Sequence, residues 1–325
     1  MITKRMLLCG ILSCAFSLIA AVESHAQGFP QRTIKIVVPG GAGGPGDLLI
    51  RIVAQHLQAS LKQNVVVENN AVSGGLSAAR AFARADPDGY TLFSGNTSTL
   101  AIIPAVWKNP GYDPAKDFAP VAKVADTFQV LVVDPASPLK SVQDLIANAR
   151  ANPGQINYGA IYGALPHLAG ELFKLRAGVD VVHVPYKTEN ESNMAILAKQ
   201  VQFSFPNVAT ALPLIREGTL RALAVTSATR RPELPDMPTL VESGVTGYVV
   251  TSFFGVAARA GTPAPIVDLL NSTINQGLTT TEMKTVLARF GAAAGTGTPG
   301  EFTAFIAAER QKWVSVASSA GIRAD

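Results

Sequence analysis

The fold is decided first by residues 34–47, which have the sequence IKIVVPGGAGGPGD. Four of the first five residues are β-branched and apolar, so Ile34–Val38 is predicted to be a buried strand. The glycines and prolines that follow predict a tight turn. From Asp47 to Leu61, apolar side chains recur with helical spacing and predict an amphipathic helix. A strand, a glycine-rich turn and a helix in this order are typical of the first half of a βαβ unit.

The same alternation continues along the chain and predicts an α/β fold with parallel strands covered by helices. A chain of 325 residues has room for about two domains. With 48% hydrophobic and 15% charged residues it can bury a core, which excludes intrinsic disorder as its main state. We therefore expect two α/β lobes. Further strands are predicted at 64–68, 90–93, 128–133, 181–184, 201–205 and 220–226, and helices at 77–85, 141–152, 263–277, 282–289 and 299–320.

The first 26 residues have the layout of a secretory signal peptide. Two basic residues at 4–5 precede an apolar run over 6–22, and small residues at 24 and 26 stand before a cut at Gln27. A single membrane anchor is the alternative, but the apolar run is at the short limit for a span. We therefore expect export to the periplasm, with residues 1–26 removed.

The leader also holds both cysteines of the chain, Cys9 and Cys14. Lipid attachment at Cys14 is the alternative to cleavage, although Leu12 stands where a small residue is usual. After cleavage no thiol would remain to form a disulfide or bind a metal. Loss of two basic residues and one acidic residue would lower the net charge from +4 to +3. No nucleic-acid partner is expected, because the remaining Lys and Arg residues form no basic stripe.

The glycines of the first turn match a dinucleotide-binding fingerprint. Residues 41–46 have the spacing G-x-G-x-x-G between a strand and a helix, and Glu68 ends the next strand. Pro45 removes an N–H from that turn, Asp47 would place a carboxylate beside two phosphates, and export leaves the NAD pool behind. No cofactor is therefore predicted. The helix amides can hold a carboxylate instead, and Asp47 either caps the helix or contacts the ligand.

Two further polar turns follow predicted strands. The turn at 94–99 supplies hydroxyls and amides, and the turn at 158–164 leads into a helix that contains His167. Either turn alone is typical of a solvated loop. Because ligands of α/β folds bind beyond the carboxyl ends of strands, we expect both turns to face one site.

Neither a catalytic site nor a metal site is predicted. Only His56, His167 and His183 would remain after cleavage; they lack the spacing of metal ligands, and no G-x-S-x-G motif is present. His167 could still pair in space with a serine, so a secreted hydrolase stays open as an alternative. We expect a protein that is not an enzyme.

A series of motifs in order resembles the Bug/TctC family, the extracytoplasmic solute-binding receptors of tripartite tricarboxylate transporters. Each motif alone is weak, but the set spans nearly the whole chain after the leader. The motifs are IVVP at 36–39, GGPGD at 43–47, VVVEN at 65–69, DPDGYTL at 86–92, YDPAKDFAPV at 112–121, HLAGELF at 167–173, HVPYK at 183–187, LRALAVT at 220–226 and LPDMPT at 234–239.

The resemblance implies a periplasmic-binding-protein-like fold with a ligand cleft between two lobes. It places lobe 1 at 27–126 plus 249–325, and lobe 2 at 127–248. It implies a receptor, expected to be a monomer, that captures a small organic carboxylate and presents it to membrane permease subunits. A sensor for a membrane signalling partner is the alternative. Carried over by position, the ligand-binding residues are Gly43, Gly44, Asp47, Asn96, Ser98, Thr99, Tyr162, Gly163, Ala164, Asn207 and Phe253.

Two departures from the family pattern concern specificity. Members commonly have Gly followed by Ser or Thr before the HLAGE motif, whereas here Ala164 follows Gly163 and the loop is one residue shorter. Either Tyr162 supplies the missing hydroxyl, or the pocket favours a more apolar or aromatic acid. Glu189 and Glu191 stand where small residues are frequent. They would disfavour highly charged anions if they face the cleft; exposure to solvent is the alternative.

Overall fold

The computed structural model describes residues 28–319 and 321–322. It contains two sheets with helices packed on them, which confirms the α/β class. The predicted leader, residues 1–26 with both cysteines, lies outside the described residues. Within the part of the chain that the structure covers, no helix is both long and apolar enough to cross a bilayer.

The first sheet is formed by β1 (Ile34–Val38), β2 (Val65–Asn69), β3 (Thr91–Asn96), β4 (Phe118–Phe128), β10 (Thr251–Arg259) and β11 (Ala293–Ala294). Their spatial order is β11-β4-β10-β3-β1-β2. β1 is parallel to both β2 and β3, as the sequence pattern predicts. β10 is antiparallel to its two neighbours, β3 and β4.

The second sheet is formed by β5 (Val130–Val133), β6 (Ile156–Ile161), β7 (Val181–Tyr186), β8 (Phe203–Ser204) and β9 (Arg221–Val225). The order is β7-β6-β8-β5-β9. β6 is parallel to β7 and β8, whereas β5 is antiparallel to β8 and β9.

Both sheets are therefore mixed, and the expectation of wholly parallel strands is wrong. The chain passes between the sheets twice, from β4 through Gln129 into β5, and from β9 into β10. Strands of βαβ units end at the edge that faces the other sheet. β5 and β10 each arrive from the other sheet and therefore start at that edge. They run antiparallel to the strands beside them. Local alternation of strands and helices contains no signal for such a passage.

The helices reproduce the predicted ones to within a few residues and add several short ones. The helix α5 begins with a capping-box-like pair of bonds: Ser141 Oγ accepts from the Asp144 N–H at 3.1 Å, and Asp144 Oδ2 accepts from the Lys140 N–H at 2.9 Å. The α-helices are α1 (Pro45–Leu61), α2 (Leu76–Phe82), α3 (Ile103–Val106), α4 (Pro114–Asp117), α5 (Val142–Ala151), α6 (Leu165–Ala177), α7 (Glu189–Leu197), α8 (Val208–Arg216), α9 (Ala264–Thr279), α10 (Thr281–Arg289) and α11 (Pro299–Ser319).

The C-terminal helix α11 contributes to the hydrophobic core of both sheets. Near its start, Phe302 belongs to a buried cluster that contains Phe93 of β3 and Phe253 of β10. About three helical turns after Phe302, Trp313 is fully buried in a cluster that contains Tyr158 of β6. One helix thus packs against both halves of the molecule.

The two sheets draw on different parts of the chain. Strands of the first sheet come from residues 34–128 and 251–294, and strands of the second come from 130–225. The lobe boundaries expected after residues 126 and 248 fall next to the two passages. They stay predictions about which residues move together.

Candidate functional site

A cavity of about 250 Å³ lies between the two sheets, with room for about eight water molecules at ~30 Å³ each. The first sheet contributes the turn after β1 and the segment after β3. The second contributes the turn after β6, the segment after β7 and the start of α8. Gln129 and Ser252, at the two passages, also line it. The cavity therefore lies where α/β folds bind ligands, beyond the carboxyl ends of the strands.

Four α-helices begin at this cavity. The N-cap residues of α1, α6, α7 and α8 are Gly44, Ala164, Thr188 and Asn207, and all four line the cavity. The amino end of a helix carries about half a positive charge and N–H groups without helical partners. Four such ends around one cavity give it a positive potential from backbone dipoles, which favours an anion.

The helices α1 and α6 have no capping side chain at their amino ends. Thr188 and Asn207 cap α7 and α8 with their own side chains, but Gly44 has no side chain to cap α1. Pro45 at the start of α1 has no N–H, so the first amide that can reach a ligand belongs to Gly46. The sequence prediction that this turn forms part of a binding site agrees with the placement of Gly44.

The glycine-rich turn disfavours side chains at two positions, one because of its backbone conformation and one for lack of space. Gly43 has φ +71°, in the left-handed region that favours glycine. The Gly44 N–H donates to the Gly41 carbonyl at 3.0 Å, and a Cβ at Gly44 would lie 2.9 Å from that oxygen. Gly41, Ala42 and Gly44 line the cavity, whereas Gly43 lies on its outer side and does not.

Asp47 holds this turn in place. It is the third residue of α1, and its Oδ2 accepts from the Gly43 N–H at 2.9 Å, just before the helix. Its Oδ1 lies 2.8 Å from Arg51 Nη2. Burial opposes ionisation, but the Arg51 guanidinium and the hydrogen bond from the Gly43 N–H outweigh it and lower the pKa of Asp47 below its ordinary value. Asp47 lines the cavity, but its hydrogen bond goes to Gly43, which lies before α1, and not to an amide of the first helical turn. Its contact with a ligand stays a prediction.

Of the three ligand contacts predicted in the turn after β3, two line the cavity and one is buried inside the protein. Asn96 and Ser98 line the cavity. Thr99 is fully buried, and its N–H donates to Asn96 Oδ1 at 3.0 Å, so its role here is to hold Asn96. Ser98 Oγ accepts from the Leu165 N–H at 3.0 Å, which links the first sheet's side of the cavity to the start of α6.

The turn after β6 contributes only one of its three predicted residues. Ala164 lines the cavity, but Tyr162 and Gly163 do not. The Tyr162 ring stacks on His167, with ring centroids 5.1 Å apart, and the side chain remains 44% exposed. In this structure, Tyr162 does not replace the hydroxyl that the family pattern has at position 164.

Asn207 lines the cavity within a buried polar network at the two passages. Its Nδ2 donates to Thr127 Oγ1 at 2.8 Å and Ser252 Oγ at 3.0 Å, and its Oδ1 accepts from the Ala209 N–H at 3.0 Å. Both amide hydrogens are therefore used within the protein. Asn207 ties α8 to the strands that connect the sheets, and it can offer a ligand only the second lone pair of Oδ1.

Phe253 lies outside the cavity. It is 1% exposed and packs edge-to-face on Phe302 and Phe305, with ring centroids 5.8 and 5.1 Å away. Phe254 lines the cavity instead. Successive residues of a strand point to opposite faces, so a one-residue difference in alignment exchanges the two phenylalanines.

The segment after β7 is a part of the site that the ligand-contact predictions omit. Residues 187–190 all line the cavity, and Glu191 does not. Thr188 Oγ1 accepts from the Glu191 N–H at 3.1 Å, and Glu191 Oε2 accepts from the Lys187 N–H at 3.0 Å. This S/T-x-x-E capping box is readable in the sequence and places Glu189 in the first turn of α7.

The histidines next to the site are buried rather than poised for catalysis. His167 and His183 stack with ring centroids 4.0 Å apart. Burial, together with His183, lowers the pKa of His167 to about 3, so it stays neutral. His167 Nδ1 accepts from the Gly163 N–H at 3.1 Å, which is a structural bond. In residues 28–319 and 321–322, no three His, Cys, Asp or Glu side chains are grouped as a metal site would require.

Comparison with known proteins agrees with this arrangement. The family model described as the tripartite tricarboxylate transporter family receptor, TctC, matches residues 49–322. Protein BugT of Bordetella pertussis is 35% identical over 99% of this chain and 98% of its own length. A UPF0065 protein from the tcbD-tcbE intergenic region of a Pseudomonas species is 32% identical over 96% of this chain and 93% of its own.

Solved structures show the same fold, and two of them were solved with a carboxylate ligand. Rpa4515 of R. palustris, solved with adipate, is 37% identical with a TM-score of 0.89, over 91% of this chain and 99% of that one. MatC of Rhodopseudomonas palustris, solved with malate, is 29% identical with a TM-score of 0.84, over 89% of this chain and 99% of that one. The periplasmic binding protein BugD is 31% identical with a TM-score of 0.86, over 91% and 99%. This chain belongs to the TctC family of tripartite tricarboxylate transporter receptors, in which the Bug proteins are its relatives.

Proposed function

We propose that this protein is a periplasmic receptor that captures a small organic carboxylate for a tripartite tricarboxylate-type transporter. The observation that carries the proposal is the meeting of four helix amino ends at one cavity between the sheets. Backbone dipoles at these ends stabilise a carboxylate without requiring a strongly basic chain. The adipate and malate bound by two related proteins support the same ligand class.

The protein acts by binding and not by covalent chemistry. The cavity offers a carboxylate backbone amides, hydroxyls and waters held by them. The hydrolase alternative needs a serine next to His167 and a ring basic enough to take its proton, but the Nδ1 of that ring already accepts from a backbone N–H and burial lowers its pKa to about 3. The related proteins of this family are receptors as well.

Binding couples to movement of two lobes, at 27–126 plus 249–325 and at 127–248. The closed pair presents the loaded receptor to membrane permease subunits, and the receptor works as a monomer. The hydrogen bond from Leu165 to Ser98 supports this, because it joins the two sides across the cavity and would break when they separate. The predicted leader delivers the chain to the periplasm.

Thermal unfolding with a panel of acids tests the proposal. Ligand that binds only the folded state raises the melting temperature by mass action. The panel contains mono-, di- and tricarboxylates and aromatic acids, and at least one is expected to raise Tm in a concentration-dependent way. A panel without any shift, or turnover of a member to a product, contradicts the proposal. Replacement of Gly44 by Leu should abolish the shift, because a side chain there would meet the Gly41 carbonyl.

A further inference from the structure

One carboxylate on the cavity wall has no cationic partner. Glu189, the first residue of α7, lines the cavity and is half-buried. Its Oε1 accepts from the Asn207 N–H and its Oε2 from Thr210 Oγ1, both at 2.8 Å. Among the residues that the structure describes, no Lys, Arg or His nitrogen lies within 4.0 Å of this carboxylate. Both of its partners are neutral groups.

The other cavity carboxylate, Asp47, is compensated. It lies 2.8 Å from the Arg51 guanidinium and accepts from the Gly43 N–H. Glu189 and Asp47 thus differ in what holds them: Asp47 pairs with the Arg51 guanidinium, whereas Glu189 is held by neutral donors at the start of α8. Lys187 is the cation that shares the cavity wall with Glu189, but the two form no ion pair.

Burial raises the pKa of Glu189 above its ordinary value, although the bonds from Asn207 and Thr210 oppose the shift. The ionised form is therefore under-stabilised by the protein alone. A cationic group beside it would favour ionisation, whereas a second carboxylate would disfavour it. A ligand is thus discriminated by the charge that it brings to this wall.

The glycine-rich turn and the start of α7 come from different sheets and approach each other beside the cavity. A Cβ at Gly41 would lie 3.2 Å from Thr188 Cγ2, and one at Gly43 would lie 3.8 Å from Asn190 Nδ2. A ligand inside therefore has the open amino end of α1 on one side and the Glu189 wall on the other. The first attracts an anion, and the second attracts a cation.

We propose that the ligand is a zwitterion: a carboxylic acid whose other end carries an ammonium group, with Glu189 as the residue that selects it over a dicarboxylate of the same length. This inference rests on the proposed function, since it assumes that a carboxylate binds at the helix ends. The bound ammonium group donates to Glu189 and replaces the missing cation. A second carboxylate at that place would be repelled. We therefore expect a dicarboxylate such as adipate to bind more weakly than the amino acid of the same length.

Length-matched pairs of acids test the inference by isothermal titration calorimetry. The pairs are succinate with 4-aminobutanoate, adipate with 6-aminohexanoate, and terephthalate with 4-(aminomethyl)benzoate. In the wild-type protein, the amino member of at least one pair is expected to bind at least tenfold tighter than its dicarboxylate. Glu189→Gln should reduce that ratio at least tenfold, because the amide keeps the size and an acceptor oxygen but loses the charge.

Glu217→Gln is the matched control, since Glu217 is exposed at the far end of α8, outside the cavity wall, and should leave the ratio unchanged. The Tm of each variant without ligand separates loss of selectivity from loss of folding. If dicarboxylates bind as well as their amino partners, or if Glu189→Gln leaves the ratio unchanged in a folded protein, the inference is wrong while the proposed function stands. If no acid of the wider panel binds, both fail.

Discussion

Replacing Asp47 by alanine should uncouple the glycine-rich turn from α1. The side chain of Asp47 is 4% exposed, and it accepts a hydrogen bond from Gly43 and pairs with Arg51. Removing a hydrogen bond to a charged group costs about 1.5–3 kcal/mol. Gly43 is exposed, so water can satisfy its N–H once the carboxylate is removed. The Arg51 side chain is 48% exposed, so its ion pair with Asp47 contributes at most about 1 kcal/mol to the free energy of unfolding.

We therefore expect Asp47→Ala to lower the free energy of unfolding by about 2 kcal/mol, toward the lower end of the combined range. Ligand affinity should fall about tenfold, or about 1.4 kcal/mol, because the turn that exposes the Gly46 amide is no longer fixed. Urea unfolding measures the first quantity, and calorimetry with the acid that shifts Tm most measures the second. The pKa of Asp47 is lowered by folding, so the stability difference is full at neutral pH and shrinks as the pH falls below 3.8.

Asp144 provides a control with the same local geometry. It too is the third residue of a helix, and it accepts from the Lys140 N–H at 2.9 Å, but it lies on α5 away from the cavity. Asp144→Ala should weaken the start of α5 and leave ligand affinity unchanged. If Asp47→Ala binds the acid as tightly as the wild-type protein does, the turn is not held by this carboxylate and the reasoning is refuted.

Three further changes test other parts of the structure. Ser98→Ala removes the hydrogen bond across the cavity, which is worth about 1 kcal/mol. Calorimetry should then show ligand binding weakened about fivefold, while the Tm of the free protein changes by no more than a few degrees. Unchanged affinity would show that the bond does not favour the bound state. Gly170→Ala would place a Cβ 2.1 Å from the Tyr158 ring and should cost about 1–3 kcal/mol in urea unfolding, whereas Gly300→Ala, with its nearest neighbour 3.9 Å away, should be neutral. His167 should stay neutral in an NMR titration down to about pH 3. Because folding lowers its pKa, the free energy of unfolding should decline as the pH falls from 6.5 towards 3. An imidazole pKa near 6.5 would contradict the burial of this side chain.

The sequence predicts the parts of the site that depend on local chain geometry. Glycine and proline fix the turn at 39–46, and the turn, with the flanking strand and helix, locates Gly44 at the cavity. The same logic places Ser98 and Ala164, each of which follows a strand and precedes a helix. In these cases the residues that form the turn also determine what it exposes.

The rest of the site depends on register and on contacts between distant segments. β10 is buried on both faces, so its apolar run gives no alternation that would distinguish Phe253 from Phe254. Gln129 and Ser252 reach the cavity only because the chain passes between the sheets there. Glu189 faces inward because its carboxylate binds the start of α8, which no local pattern reveals.

The position of β10 in the centre of the first sheet determines the order in which the chain can fold. β10 lies between β3 and β4, yet it is synthesised only after every strand of the second sheet. Until it emerges, the N-terminal strands lack their central neighbour, and α11 arrives later still to complete both cores. Pairing between such distant segments is slow, because loops must close before contacts form. We therefore expect the emerging polypeptide to remain without a finished native half until late in synthesis.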